Sequence, residues 1–178
     1  EIINRLGGIS VNLSGGEVIS SLKLGVLDAA EWAGPWPDTI MGFHKVAKYY
    51  YGPGIHEPNT NCEFMINKEI WENLPLEYQT IIKNACYASY IEVISEYFYK
   101  NAKALRIIKN KHNISVNQFS SDIVKSFFTF ARDIIEENGK DNIVYQKIYK
   151  DWKETIKLFN EYHQYSDNEY MKLRLKNI

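Results

Sequence analysis

Small and apolar residues recur every third or fourth position along most of the chain, and strand-like alternation is confined to short stretches. Beyond Pro75, the positions Tyr78, Ile82, Ala85, Ser89, Ile94, Phe98, Ala102, Leu105 and Ile108 fall at near-helical spacing. Neither glycine nor proline interrupts them before His112. The pattern predicts a single helix on the order of 50 Å long at 1.5 Å per residue. It keeps no strict heptad, so a spine bridging two lobes fits better than a coiled coil. Further on, Ser120 or Ser121 opens a helix carrying Val124, Phe127, Phe128, Ala131 and Ile135, which Gly139 ends. Asp141 opens another, with Val144, Ile148, Trp152, Ile156 and Phe159 on one face. Ser166 and Glu169 form the capping-box pair ahead of a last helix with Tyr170 and Leu173.

The first third of the chain is patterned differently. Residues 1–6 read as a helix closed by Gly7 and Gly8, and residues 9–13 as a short strand. Ser14 and Glu17 make a capping box for a helix whose apolar stripe is Val18, Ile19 and Leu22. Gly25 is placed to end it in the left-handed conformation, and residues 26–32 read as a second strand. A strand, a helix and a strand in that order predict a parallel crossover unit. Then comes a turn-rich run, Gly34-Pro35-Trp36-Pro37-Asp38, a short helical piece through Phe43, Val46 and Ala47, and a break at Gly52-Pro53-Gly54 after three tyrosines. Residues 61–66 alternate like a strand, Asn67 caps a short helix, and residues 115–119 form a further short strand. The expected division is residues 1–66 as part of α/β lobes, 67–112 as helices including the long one, and 113–178 as a short strand with C-terminal helices.

Composition adds little to this picture. Of 178 residues, 45% are hydrophobic, enough for a sizeable core, and a net charge of -1 gives no electrostatic reason to expect nucleic acid or an anionic membrane. Cys62 and Cys86 are too few for a disulfide framework and match no zinc spacing, so both are expected as small buried side chains. His44, His112 and His163 are expected in structural or surface roles, and the basic residues between Lys100 and Lys111 on a solvated helix face. The chain opens on Glu1, inside a helical pattern and without methionine, which reads as a fragment or a processed form.

Candidate chemistry lies in residues 27–57. Ligands of open parallel sheets sit beyond the carboxyl ends of the strands. The predicted second strand ends there on Glu31 and Trp32, a carboxylate and an indole. The competing reading leaves Glu31 solvated and Trp32 in the core.

Several runs resemble one family closely: Leu13-Ser14-Gly15-Gly16-Glu17, the Gly-x-x-Asp-Ala-Ala-Glu-Trp run ending at Trp32, Gly34-Pro35, Lys45-Val46-Ala47-Lys48-Tyr49-Tyr50-Tyr51, the Pro-Gly-x-His-Glu-Pro run ending at Pro58, and the Asn-Lys-x-x-Trp-x-x-Leu-Pro run ending at Pro75. Over nearly the whole chain it resembles the second half of the extracytoplasmic solute receptors of TRAP transporters, the DctP-like family. The resemblance implies an α/β, two-lobed periplasmic-binding-protein-like fold, present in part, with a long lobe-spanning helix and a helical C-terminus. It implies a periplasmic receptor, not an enzyme, that takes a 2-oxo or 2-hydroxy carboxylate through a bound sodium or calcium ion and delivers it to the TRAP permease membrane subunits. By that resemblance Glu31 and the backbone carbonyl of Trp32 hold the cation, and Trp32, Trp36, Tyr51, His56 and Glu57 line the ligand cleft. The oxygen ligands suit such a cation. The family's carboxylate-gripping arginine, in an Arg-x-Pro-Gly run, and its cation-site glutamine align ahead of Glu1. No arginine in this chain stands where it could substitute, and Arg5 is expected on the surface. Some relatives exchange their last helix in a homodimer, which residues 166–176 could do here. The alternative reading is a metal-assisted hydrolase using Glu31, His56 and Glu57, but the sequence supplies no clear nucleophile for it.

Overall fold

The computed structural model describes residues 1–55, 57–60 and 62–177. The chain divides into two compact units: residues 11–124, and residues 1–10 together with 125–178.

In the unit of residues 11–124, local signals set most of the helix ends. Helix α2 (Gly15–Leu24) starts with the expected capping box. The Glu17 carboxylate accepts from the Ser14 amide at 3.3 Å and the Ser14 hydroxyl at 2.6 Å. Gly25 ends it at φ 72°. Pro35 opens α3 (Pro35–Met41), and a 3-10 turn, Phe43–Lys45, follows. The Asn67 side chain caps α4 (Lys68–Asn73) by accepting from the amides of Glu69 and Ile70. Pro75, with φ fixed near the helical value, stands directly before α5 (Leu76–Lys111). At 36 residues, α5 is about 54 Å long. Asn113, just beyond it, turns the chain at φ 53°, a left-handed conformation that asparagine tolerates better than most residues.

The helix α5 carries the chain between two parallel strands, β1 (Tyr49–Gly52) and β2 (Ser115–Gln118), with Tyr49 opposite Ser115 and Gly52 opposite Gln118. The core lies where α3, which also meets the 3-10 turn, packs on the later part of α5: Phe43, Ala104, Ile108 and Ile114 are buried, with Ile108 only 1% exposed, and Val18 of α2 is buried as well.

Three expectations fail here. Residues 9–13 and 26–32 form no ladder, and the sheet of the described residues has two strands, β1 and β2. A strand exists only through its partner, and among the described residues no neighbouring strand stands beside either segment. Residues 62–66 are likewise unpaired, while Asn61 lies outside the described residues. Both cysteines are exposed, not buried: Cys86 faces outward from the uncovered part of α5, and Cys62 lies in a loop.

In the other unit, α1 (Ile2–Arg5) and the end of α6 (Ser121–Gly139) are joined by Arg5, whose Nη1 meets Glu137 Oε1 at 3.2 Å. The same guanidinium reaches Glu1 at 3.1 Å, so Arg5 is a structural clamp near the surface. Asn142 caps α7 (Ile143–His163), its Oδ1 accepting from Tyr145 N at 3.0 Å. Gln146 seals the joint between α6 and α7 by donating to the carbonyls of Gly139 and Lys140. Helix α8 is Asp167–Asn177. Its predicted capping box does not form: the Ser166 hydroxyl is buried without a partner among the described residues, and Glu169 turns to Lys172. Among the described residues no helix is long and apolar enough to cross a membrane.

Candidate functional site

Glu31 and Trp32 lie between α2 and α3 on a segment with no sheet partner among the described residues; backbone bonds to Ser21 hold its start and side-chain contacts its end. The Trp32 ring packs against Phe43, centroids 5.8 Å apart. It also covers the start of α2 so closely that a Cβ on Gly15 would stand 2.7 Å from its Cη2. The indole remains 36% exposed, neither core nor free surface, and Glu31 is exposed.

Immediately after Trp32, the backbone is fixed by a buried carboxylate. Asp38, 8% exposed, sits one turn into α3. Its Oδ1 accepts from the amides of Ala33 at 3.1 Å and Gly34 at 3.0 Å, and its Oδ2 from the Tyr50 hydroxyl at 2.6 Å. A buried carboxylate is tolerable only with its lone pairs satisfied, and three donors do that. Burial first, and then the Asp38 carboxylate, push the Tyr50 phenol well above its ordinary range, so it stays protonated and donates. Gly34 has φ 143°, open to glycine and strained for other residues, and a Cβ there would press to 3.4 Å on the Asn101 side chain.

Asn101, on α5, holds the same corner from the other side by accepting from the Trp36 amide at 2.9 Å. The Trp36 ring meets Tyr97 edge-on at 5.1 Å, and the Lys100 ammonium lies 4.1 Å from its centroid. Lys100 also pairs with Glu96. The start of the basic run on α5 is therefore a clamp on Trp36 rather than a solvated face.

The expected site residues thus fall in three places. Glu31, Trp32 and Trp36 share the pinned segment. Tyr51 points to the opposite face of β1 from Tyr50 and stacks on Phe119, centroids 5.3 Å apart. Glu57 is exposed in the loop beyond β1, and His56 lies outside the described residues. Sequence reasoning missed Asp38, Tyr50 and Asn101. The one signal pointing to Tyr50 was its place in a run of three β-favouring tyrosines, where alternation sends the middle one inward.

The histidines hold one surprise. His44 and His112, far apart in sequence, meet with ring centroids 4.3 Å apart and planes tilted by 38° at the end of α5. His44 Nδ1 is buried with no hydrogen-bond partner among the described residues. Burial first, then His112 and Lys45, hold its imidazole below the ordinary value.

Among the described residues, no group of three or more His, Cys, Asp or Glu side chains is placed to hold a metal. The donors expected from the sequence are the Glu31 carboxylate and the Trp32 carbonyl, two oxygens on consecutive residues. That donor set is right for sodium or calcium, which take oxygen ligands and draw the remainder from elsewhere.

Comparison with known proteins gives the fold and the family. The chain is 33% identical over 154 residues to a monocarboxylate 2-oxoacid-binding periplasmic protein of Nostoc sp. strain PCC 7120, covering 86% of this chain and 42% of that protein. Its structure matches a TRAP periplasmic solute binding protein of Colwellia psychrerythraea, solved with bound calcium and pyruvate, at TM-score 0.88 and 27% identity, covering 96% of this chain and 52% of the other. It matches one of Pseudoalteromonas atlantica T6c, with bound sodium and pyruvate, at TM-score 0.86 and 26% identity, covering 96% and 52%. The chain therefore spans about half the length of the relatives it matches. Its fold is the α/β fold of these periplasmic binding proteins. Residues 1–141 match the model of one family, and the chain belongs to it: the bacterial extracellular solute-binding proteins, family 7.

Proposed function

We propose that the protein of which this chain forms part or all is a periplasmic receptor of a TRAP transporter. It binds a small 2-oxo or 2-hydroxy monocarboxylate through a sodium or calcium ion and hands it to the membrane permease subunits. The observation that carries this reading is the pinned segment of residues 31–38. It carries the Glu31 carboxylate and the Trp32 peptide oxygen on consecutive residues, and packing and hydrogen bonds hold the residues that follow. Glu31 and the Trp32 carbonyl hold the cation. The bound cation draws in the ligand's carboxylate and its neighbouring oxygen. The partly exposed Trp32 and the half-buried Trp36 offer apolar surface to a short carbon chain, and Tyr51 and Glu57 border the cleft; His56, expected with them, lies outside the described residues. No bond of the ligand need be made or broken, since a receptor acts by favouring its closed form. The hydrolase alternative is set aside because the family consists of solute-binding proteins. Long α5 serves as the spine between lobes. A homodimer through the C-terminal helices is supported by the apolar surface that α7 and α8 leave open, with Val144, Ile148, Leu158 and Leu175 all exposed.

The test is calorimetric titration of the natural full-length chain with pyruvate, lactate and longer homologues, with calcium, with sodium, and with neither. Cation-dependent binding of at least one acid is expected, and Glu31→Gln should abolish the cation dependence. Absence of binding by every acid under all three conditions overturns the reading.

A further inference from the structure

The peptide unit joining Trp32 to Ala33 has two ends. One is the Trp32 carbonyl, offered above as a cation ligand, and the other is the Ala33 N–H, which donates to Asp38 Oδ1 at 3.1 Å. A trans peptide is planar, with its C=O and N–H pointing in opposite directions. Whatever grips the N–H therefore aims the carbonyl. We propose that Asp38 is a positioning residue for cation binding: by holding the Ala33 N–H, its buried carboxylate directs the Trp32 carbonyl away from the protein and toward the ion. This rests on the receptor reading.

Three features support the assignment. The carboxylate oxygen that takes the Ala33 amide also takes the Gly34 amide at 3.0 Å, so two successive peptide planes are fixed, not one. The other oxygen is tied to Tyr50 at 2.6 Å, so the carboxylate itself cannot swing. Tyr50 in turn belongs to β1, in register with Val116 of β2, which anchors the chain of contacts in the sheet. There is an electronic effect as well. An N–H donating to an anion polarises its own peptide group, and the carbonyl oxygen at the far end gains negative charge. Asp38 thus makes the Trp32 oxygen both better directed and a stronger donor. Residues that orient metal ligands in this way typically change metal affinity by about 10–100-fold when removed.

The experiment uses the natural full-length chain and two readouts. The first is calcium affinity in the presence of pyruvate. Asp38→Ala should weaken it by about 10–100-fold. Asp38→Asn keeps an oxygen for both amides and an NH2 to donate to Tyr50, so it should restore affinity to within about threefold of wild type. The second readout is amide hydrogen exchange at Ala33 and Gly34 without calcium or acid. Both should be protected in wild type and in Asp38→Asn, and should exchange far faster in Asp38→Ala. Should Asp38→Ala fail to fold, Asp38→Ser takes its place, since a single hydroxyl cannot serve three donors. Unchanged calcium affinity in Asp38→Ala overturns the proposal, as does a loss in Asp38→Asn as large as in Asp38→Ala. If wild type binds no acid with either cation, the receptor reading falls and this inference with it; binding by wild type that Asp38→Ala leaves unchanged overturns this inference alone.

Discussion

The two ends of α5 make opposite use of similar residues. Toward its C-terminus, Ala104 and Ile108 are buried against the short elements around β1 and β2, and Lys100 and Asn101 grip the corner that carries Trp36. Toward its N-terminus, Leu76, Tyr87 and Ile91 are 76%, 73% and 64% exposed, although they are no less apolar. The difference is in the neighbours. In its last three turns α5 has partners within its own unit, and the candidate site is fixed to that end. Over the preceding turns its apolar residues are spread round the helix, with partners few among the described residues. A helix apolar on all sides is built to be covered.

The contrast can be broken at several points. The largest effect is expected from Ile108→Ala, which empties a fully buried position and should cost about 2–5 kcal/mol in urea unfolding. The matching Ile91→Ala should change stability by no more than about 0.5 kcal/mol in this 178-residue chain. Equal costs at the two positions would mean that the uncovered end is in fact packed. Next is Asn101→Ala, which leaves the Trp36 amide without its acceptor. A loss of about 1–3 kcal/mol is expected, along with a changed emission spectrum as Trp36 shifts under Lys100.

The smallest effect is one of pH. Because His44 titrates lower in the folded chain than its ordinary value near 6.5, the unfolded chain binds the extra proton first. Stability is therefore complete above that value and is lost as the pH falls through it. The Tm should drop between about pH 7.5 and 5.5, and His44→Gln should flatten that dependence. A Tm that rises on acidification, in wild type but not in His44→Gln, would show the opposite sign.

What the sequence made legible was what depends on near neighbours. The caps at Ser14 and Asn67, the stop at Gly25 and the uninterrupted course of α5 all rest on contacts within a few residues, and they are found where the pattern places them. The strands at residues 9–13 and 26–32 were misread because pairing is not a local property. For the same reason the three tyrosines ahead of the break at Gly52-Pro53-Gly54 are assigned no element from sequence, while the pairing that makes Tyr49–Gly52 a strand comes from Ser115–Gln118. The Glu31 and Trp32 pair stood out through family resemblance. The residues that hold it did not. Asp38 and Asn101 look like ordinary polar residues in a turn and on a helix, and their importance lies in partners as remote as Tyr50 and Trp36.

The parallel pairing of β1 with β2 has a consequence for the order of folding. Tyr49 can meet Ser115 only after the whole of α4 and α5 has been laid down between them. Helices form within microseconds from local contacts, whereas ladders between distant segments wait on loop closure. Tyr50 is delivered by that late ladder, and it holds Asp38 still. The corner that presents Glu31 and Trp32 therefore becomes rigid among the last parts of its unit. Protection of the Ala33 and Gly34 amides during refolding should accordingly develop later than that of α5.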